Sequence, residues 1–555
     1  MPTITINLAD LLSLSGLALS ESEVVAALSA LKCETENPAS AEGELTIEVT
    51  SDRPDLFSCE GIARAVRSYV CACDSFKAPF SERAPIRLMV DPSVSSVRPF
   101  IVASAIFGVT LADEGLRQIM QLQEKLHSTY GSKRRKASIG VYDLDKVVPD
   151  LIYAAPLPRD ISFIPLDETR RMNGTEILEL TQKGREYADI MRDLERYPLL
   201  SDCKGNVLSM PPILNSESTR VTKDSRNLFI DVTGTDGKTI NTCLNVMVTS
   251  VLERGGKVGR VEVVYSDRRV ETPILEPEFM KLHHSEVSSV SGLALEPGKV
   301  ASLLKLMGFQ SKPLENALDV EIPPYRVDVM HEVDLVEEVI MAYGLNNMQP
   351  EYPRVATTGK PMRGSRIESR IRDLMVGMGF QEISTFMLSS KEVEERALCK
   401  IVPHVEIIRP MSSEYSVLRS ALTPKLLQFL GSNTHCAYPQ KIFEYGDVVE
   451  VDVGVPITST RLSAAISDYR VSFEDMQAVA AALFRNLTRD AQFSALSQDP
   501  LIEGRAAKII VGGKDTGFVG EVSPGVLVDF GMESPAVIME IDMSSLVPLE
   551  SLFLS

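Results

Sequence analysis

The chain has 555 residues, and its 57 Lys and Arg against 76 Asp and Glu give a formal charge of −19. That length holds about three to five domains, and 44% hydrophobic with 24% charged residues excludes a mostly disordered or fibrous chain. The acidic balance repels phosphate at long range, which excludes non-specific coating of nucleic acid but leaves room for a local basic patch or a basic partner chain. No run of about 18 apolar residues is present, so no membrane helix is expected. The opening MPTITINLADLL lacks the basic and apolar regions of a secretory signal. The eight cysteines are scattered, with only a C-x-C at Cys71 and Cys73, which fits reduced thiols in the cytoplasm.

In chain order, Thr3 to Ile6 alternates as a strand, and Leu8 to Leu12 and Glu21 to Leu31 carry helical spacing. Ser51 to Asp55 is a turn cluster. Cys59 to Val70 follows as a helix with Ile62, Val66 and Tyr69 on one face, and Pro79 and Pro85 mark a boundary. From about 86 to 268, strands are expected at Leu88–Val90, Ile101–Ala103, Ile139–Tyr142 and Val258–Tyr265. Helices are expected at Gly115–His127 and Thr242–Arg254, the second closed by Gly255-Gly256. That order predicts an α+β domain. A third unit has a helix Pro297–Met307 stopped by Gly308, a strand Leu318–Ile322 and a helix Asp334–Tyr343. After Pro350 and Pro353, a helix Ser365–Met378 opens a stretch of alternating strands and helices expected to reach the C-terminus.

Three segments could carry chemistry. Asp328 precedes Asp334, Glu337 and Glu338, which fall at i, i+3 and i+4 on one side of a helix start. Grouped hard oxygens suit Mg²⁺. Asp334-x-x-Glu337 is equally a capping pattern favoured by the helix dipole. The second segment, Leu208 to Ser218, sets Pro211-Pro212 before Asn215-Ser216-Glu217-Ser218, a rigid polar turn able to wall a pocket or to serve as an ordinary surface turn. The loop Thr233 to Gly237 follows an apolar strand, Leu228 to Val232. Gly237-Lys238-Thr239 is not a P-loop, because no glycine stands at 232. The third, Lys133-Arg134-Arg135-Lys136, is either a phosphate contact or a solvated loop. The chain has no Trp and no Ser-His-Asp pattern.

Taken together, these segments resemble the β subunit of phenylalanyl-tRNA synthetase in its shorter archaeal/eukaryotic form. The resemblance rests on Ser51-Asp52-Arg53-Pro54-Asp55-Leu56 with Glu60-Gly61-Ile62-Ala63-Arg64, on Met210 to Glu217 with Gly234-Thr235-Asp236, and on Pro323 to Asp328 through Asp334, Glu337, Glu338 and Tyr343-Gly344. Glu414 to Arg419 and Phe443 to Asp447 complete it. One departure is Tyr142, where the family commonly has histidine in Ile-Gly-x-His-Asp.

The resemblance implies an α+β multidomain chain. It divides into an N-terminal module (1–83), a B3/B4 editing domain (84–269), a small B5 domain (270–350) and an inactive class II synthetase-like antiparallel-sheet domain (351–555), with no room for a further anticodon-binding domain. It implies an α subunit that performs the ATP-dependent activation, an (αβ)₂ tetramer and a tRNA partner. It implies hydrolysis of tyrosyl-tRNA at an editing pocket formed by Leu200, Ser209, Asn215 and Asp236. It also implies one Mg²⁺ on Asp328, Asp334, Glu337 and Glu338. Two other readings remain. One is a scaffold subunit that binds tRNA and the α chain without editing. The other is a free-standing magnesium-dependent nucleic-acid-binding protein.

Overall fold

A computed structural model describes residues 2–36, 43–73, 76–83 and 85–544. The chain forms two compact units, Met1–Tyr352 and Pro353–Ser555. Sequence expectations at residue 84 and beyond 544 lie outside the described residues. No helix among the described residues is long and apolar enough to cross a membrane. All eight cysteines are free.

The first unit opens with Thr3–Asn7 paired antiparallel to Glu44–Glu48. Asn7 ends that strand and caps the helix Leu8–Ser15, its side chain accepting from Ala9 N and Asp10 N. The amphipathic helix Cys59–Cys71 buries Ile62 and Val66. One hydrophobic core runs from Ile4 to Val339.

Two sheets position the central site. A four-stranded sheet has the order Lys257–Gly259, Phe100–Phe107, Asn227–Gly234, Ala137–Asp143. A seven-stranded mixed sheet has the order Leu214–Asn215, Val207–Met210, Leu199–Asp202, Leu151–Ala154, Ile86–Val90, Val261–Val264, Arg269–Thr272. Side chains alternate across a strand, and the burial follows that period. Val102, Ile106, Leu228, Ile230, Val232, Ile139 and Val141 face the helical layer that contains Gly237–Leu252. Ile101, Ala103, Ala105, Phe229 and Tyr142 face the seven-stranded sheet, meeting Leu88, Leu151, Tyr153, Leu200 and Leu208. The unit ends with a three-stranded sheet, Glu278–His283, Ala317–Ile322 and Gln310–Pro313, with helices Pro297–Leu306 and Glu332–Tyr343.

The second unit is built on a seven-stranded sheet that is antiparallel except where Gln381–Glu382 joins Gln440–Asp452. Leu462, Ala464, Ile466, Val537, Met539 and Ile541 meet helices Arg363–Gly377 and Phe473–Asn486 on one face. Ala465 and Ile538 meet Thr423–Ser432 and Pro524–Asp529 on the other. Two of its buried acids are paired with arginines: Glu444 accepts from Arg419 Nη1 at 2.6 Å, and Glu540 from Arg461 Nη1 at 3.0 Å. A third, Glu394, accepts from Ser420 N and Oγ.

Candidate functional site

A cavity of about 510 Å³ lies beside Ala137–Asp143, the edge strand of the four-stranded sheet. Helix Ala112–Ser128 and the two-strand edge Val207–Met210 and Leu214–Asn215 form its other walls. An edge strand leaves alternate backbone groups without a ladder partner. Here, side chains satisfy most of them. Ile139 N donates to His127 Nε2 (2.8 Å), Gln123 Nε2 donates to Ile139 O (2.7 Å), and Asn215 Nδ2 donates to Val141 O (3.2 Å). Burial pulls the His127 pKa down to about 4, so the ring is neutral and free to accept. The same alternation turns the Val141 amide toward the cavity. Arg134 braces the Pro211-Pro212 turn, with Nη1 donating to Pro212 O (3.1 Å) and Ile213 O (2.8 Å).

The inner end is polar. Asp231 and Tyr142 are each 1% exposed and Ser209 2%. Asp231 lies opposite Gly140 in the ladder, and Phe229 opposite Tyr142, so all four share the face toward the second sheet. A Cβ on Gly140 would stand 2.0 Å from the Tyr142 hydroxyl and 2.4 Å from Asp231 Oδ1; the bare glycine is what lets the two meet. The Tyr142 hydroxyl donates to Asp231 Oδ1 at 2.5 Å and lies 2.8 Å from Ser209 Oγ. A phenol has one proton to give, so the Ser209 hydroxyl donates back to it. Burial lifts the Asp231 carboxyl to about 7, against the opposing hydrogen bond from Tyr142. Burial, reinforced by the Asp231 charge, keeps the Tyr142 phenol protonated.

Of the residues expected from sequence, Ser209 and Asn215 line this cavity, and Leu200 and Asp236 do not. Leu200 is fully buried one strand behind, paired with Ser209 in the ladder and packed in the apolar core between the sheets. Asp236 is the N-cap of helix Gly237–Leu252, where its Oδ2 accepts from Thr239 N at 3.0 Å. That capping starts the helix five residues before the expected Thr242. Asp231, which lies in an apolar strand, is the buried carboxylate among those that line the cavity. Its signal was a lone charge in the run Leu228 to Val232. Tyr142, marked in sequence only as a departure, is its partner.

The four carboxylates expected to hold Mg²⁺ are engaged by protein partners, two of them by the same arginine. Arg326 Nε and Nη2 grip Asp328 at 2.9 and 2.7 Å, and Nη2 also reaches Glu338 Oε1 at 2.5 Å. Asp334 Oδ2 accepts from Met330 N and His331 N, each at 2.7 Å. The helix therefore begins at Glu332, and Asp334 closes the cap instead of opening it. Glu337 is half-exposed and pairs with Lys32. No group of three or more His, Cys, Asp or Glu among the described residues is arranged to hold a metal ion. As arranged here the four do not converge as one Mg²⁺ donor set: Arg326 supplies the positive charge beside Asp328 and Glu338, while Asp334 is held by backbone amides and Glu337 by Lys32. Glu337→Gln should accordingly change unfolding free energy by less than about 1 kcal/mol, the range of an exposed ion pair. Denaturant unfolding with metal analysis checks this; a loss of bound magnesium in the variant would restore the metal site.

Comparison with known proteins places these features in context. Residues 348–543 match the family described as phenylalanyl tRNA synthetase beta chain CLM domain. Residues 280–345 match the tRNA synthetase B5 domain. The phenylalanine–tRNA ligase β subunit of Pyrococcus furiosus is 38% identical over 98% of this chain and 100% of its own length. That of Archaeoglobus fulgidus is 37% identical over 98% of each chain. Among solved structures, an N-terminal fragment of the phenylalanyl-tRNA synthetase β subunit from Pyrococcus horikoshii superposes with a TM-score of 0.60 at 37% identity, covering 62% of this chain and 100% of the fragment.

Proposed function

The chain belongs to the phenylalanine–tRNA ligase β-subunit family, and from that premise we propose that its cavity hydrolyses tRNA mischarged with tyrosine. The phenylalanine itself would be activated with ATP and attached by an α subunit, in an (αβ)₂ tetramer in the cytoplasm. On this reading the two central sheets are the editing domain, and the second unit is a class II synthetase fold that no longer activates an amino acid.

The observation that carries the reading is the buried Tyr142–Asp231–Ser209 cluster at the inner end of a cavity large enough for an amino acid. Selection of phenylalanine over tyrosine cannot rest on an apolar pocket alone, because such a pocket rejects an added hydroxyl by only about a hundredfold. A second site with a polar end recognises what the first must reject. Asp231 is the acceptor for a phenolic hydroxyl. Tyr142, itself bonded to Ser209, holds that carboxylate in place, and Asn215 fixes the edge strand whose Val141 amide can bind an ester carbonyl. No side-chain nucleophile is required if these groups and the terminal ribose hydroxyl orient a water.

The test uses the α/β complex. Asp231→Ala should lower hydrolysis of tyrosyl-tRNA about a hundredfold or more and leave phenylalanine charging near the parent rate. The isolated chain should exchange no pyrophosphate with phenylalanine. A variant that clears tyrosyl-tRNA as fast as the parent overturns the assignment. A parent complex that clears none would favour the scaffold reading.

A further inference from the structure

The basic run singled out in sequence forms the turn between helix Ala112–Ser128 and the cavity's edge strand. Its backbone is costly. Ser132, Lys133 and Arg134 take φ of 53°, 52° and 65°, three consecutive non-glycine residues in the left-handed region, each at about 1 kcal/mol or more. Buried Arg98 holds the turn in that shape, donating to Arg134 O (3.1 Å), Arg135 O (3.2 Å) and Thr233 O (2.7 Å). Lys136 N donates to Gly131 O at 2.9 Å, and Thr235 N to Lys136 O at 3.1 Å.

The effect of that shape is to divide the four cations. Arg134 turns inward to the cavity wall, 6% exposed and bonded to Glu124. Lys133, Arg135 and Lys136 are exposed, and none forms a salt bridge among the described residues. The Asp236 pKa is lowered chiefly by hydrogen bonds from Thr239 and further by the nearby Lys136 charge, with which it forms no salt bridge. The other cations lining the cavity are neutralised: Lys183 by Glu186 at 3.2 Å, and Arg220 by Glu217 and Asp167. In a chain of charge −19, three unpaired cations fixed beside one cavity form a local site for an anionic polymer.

We infer that Lys133, Arg135 and Lys136 bind backbone phosphates of the single-stranded 3′ end of an RNA, guiding its terminal ester into the cavity. The inference rests on the hydrolytic reading for what enters the cavity, and on the turn alone for phosphate binding. An RNA suits the turn better than an acidic protein segment because the hydrolytic reading places an RNA-borne ester in the cavity beside it.

The test compares the α/β complex with its Lys133→Ala/Arg135→Ala/Lys136→Ala variant. Arg134 is left intact because it braces the cavity wall. The probe is an uncharged RNA hairpin with a short single-stranded 3′ tail. Each lost phosphate contact removes about 0.7 to 0.9 from the log–log salt slope, so the variant's slope should be shallower by about 2, with affinity reduced about tenfold or more at low salt. A hairpin without the tail should bind both proteins alike. The charge-preserving Lys133→Arg/Arg135→Lys/Lys136→Arg variant should bind like the parent, which separates lost charge from lost folding. With tyrosyl-tRNA, the alanine variant should raise KM and leave the saturated rate unchanged. An unchanged salt slope, or polyglutamate competing as well as the RNA, overturns the inference. A parent that hydrolyses no tyrosyl-tRNA defeats the function proposed above, while the binding measurements still decide the role of the turn.

Discussion

Arg326→Met should destabilise the first unit by about 3 to 5 kcal/mol, the cost of breaking a buried ion pair from one side. The arginine is buried over the Phe309 ring, 4.5 Å from its centroid. Its fork holds Asp328 bidentately and Glu338 end-on, and Nη1 lies 3.4 Å from Met307 O. Burial works against the Asp328 carboxylate, but the Arg326 charge and its hydrogen bonds prevail and hold that pKa at about 2. Removing the guanidinium leaves Asp328 and the buried Glu338 facing each other without their bonded cation; Arg53, which still acts on Asp328, is itself committed to Asp55. Arg326→Lys should recover only part of the loss, since a single ammonium cannot match two carboxylates in fork geometry. The combined Arg326→Met/Asp328→Asn/Glu338→Gln variant should be more stable than Arg326→Met alone, because it removes the uncompensated charge. Denaturant unfolding of the full chain reads all three. A loss below about 1 kcal/mol for Arg326→Met would show that another cation, magnesium included, neutralises the pair.

That expectation also explains what sequence spacing could and could not reveal. Asp334, Glu337 and Glu338 do fall on neighbouring helical positions, and Asp328 does lie just before them. Spacing says nothing of where each side chain turns. Arg326 stands two residues before Asp328, but an i, i+2 spacing in an extended segment does not assign it to these acids. Lys32, which takes Glu337, is distant in sequence and could not have been paired with it.

Local signals were otherwise dependable where local physics decides. The helix Cys59–Cys71, the turn at Gly308 with φ of 87°, and the helix Pro297–Leu306 follow from amphipathic spacing, glycine's freedom at positive φ and proline's place in a first turn. The strand Ile139–Tyr142 was legible and extends to Ala137–Asp143. The edge position of that strand was not, because ladder order is set by partners far away in the chain. The cavity depends on that order. Ser209 and Asn215 were legible as polar groups on a rigid turn. Asp231 was hidden by its apolar neighbours, and Asp236 was favoured because a loop aspartate between glycines looks available. The structure gives that aspartate a capping role instead.

Asp231 should contribute a loss of about 4 kcal/mol of stability as pH rises from about 4 to about 7, opposed over part of that interval by His127, whose depressed pKa makes its contribution rise with pH. An aspartate titrates near 3.9 in the unfolded chain, and burial lifts Asp231 to about 7 in the folded one. Between those values the folded state keeps a proton that the unfolded state has released, so the group's stabilisation is complete below the lower pKa and is lost as pH passes the upper one. Asp231→Asn keeps the shape and removes the titration. The difference in unfolding free energy between parent and variant should therefore swing by about 4 kcal/mol across the window, and a difference independent of pH would refute the assignment. Tyr142→Phe supplies the opposite check. The Tyr142 hydroxyl donates to Asp231 Oδ1 and holds its pKa down, so losing it should move the window to higher pH. The cost at neutral pH has a functional counterpart. A carboxylate that ionises near pH 7 in a buried site accepts strongly from a phenolic hydroxyl and has nothing to accept from a bare phenyl ring. Discrimination between tyrosyl and phenylalanyl esters should then rise over the same pH interval in which the Asp231 contribution to stability falls, because one ionisation governs both.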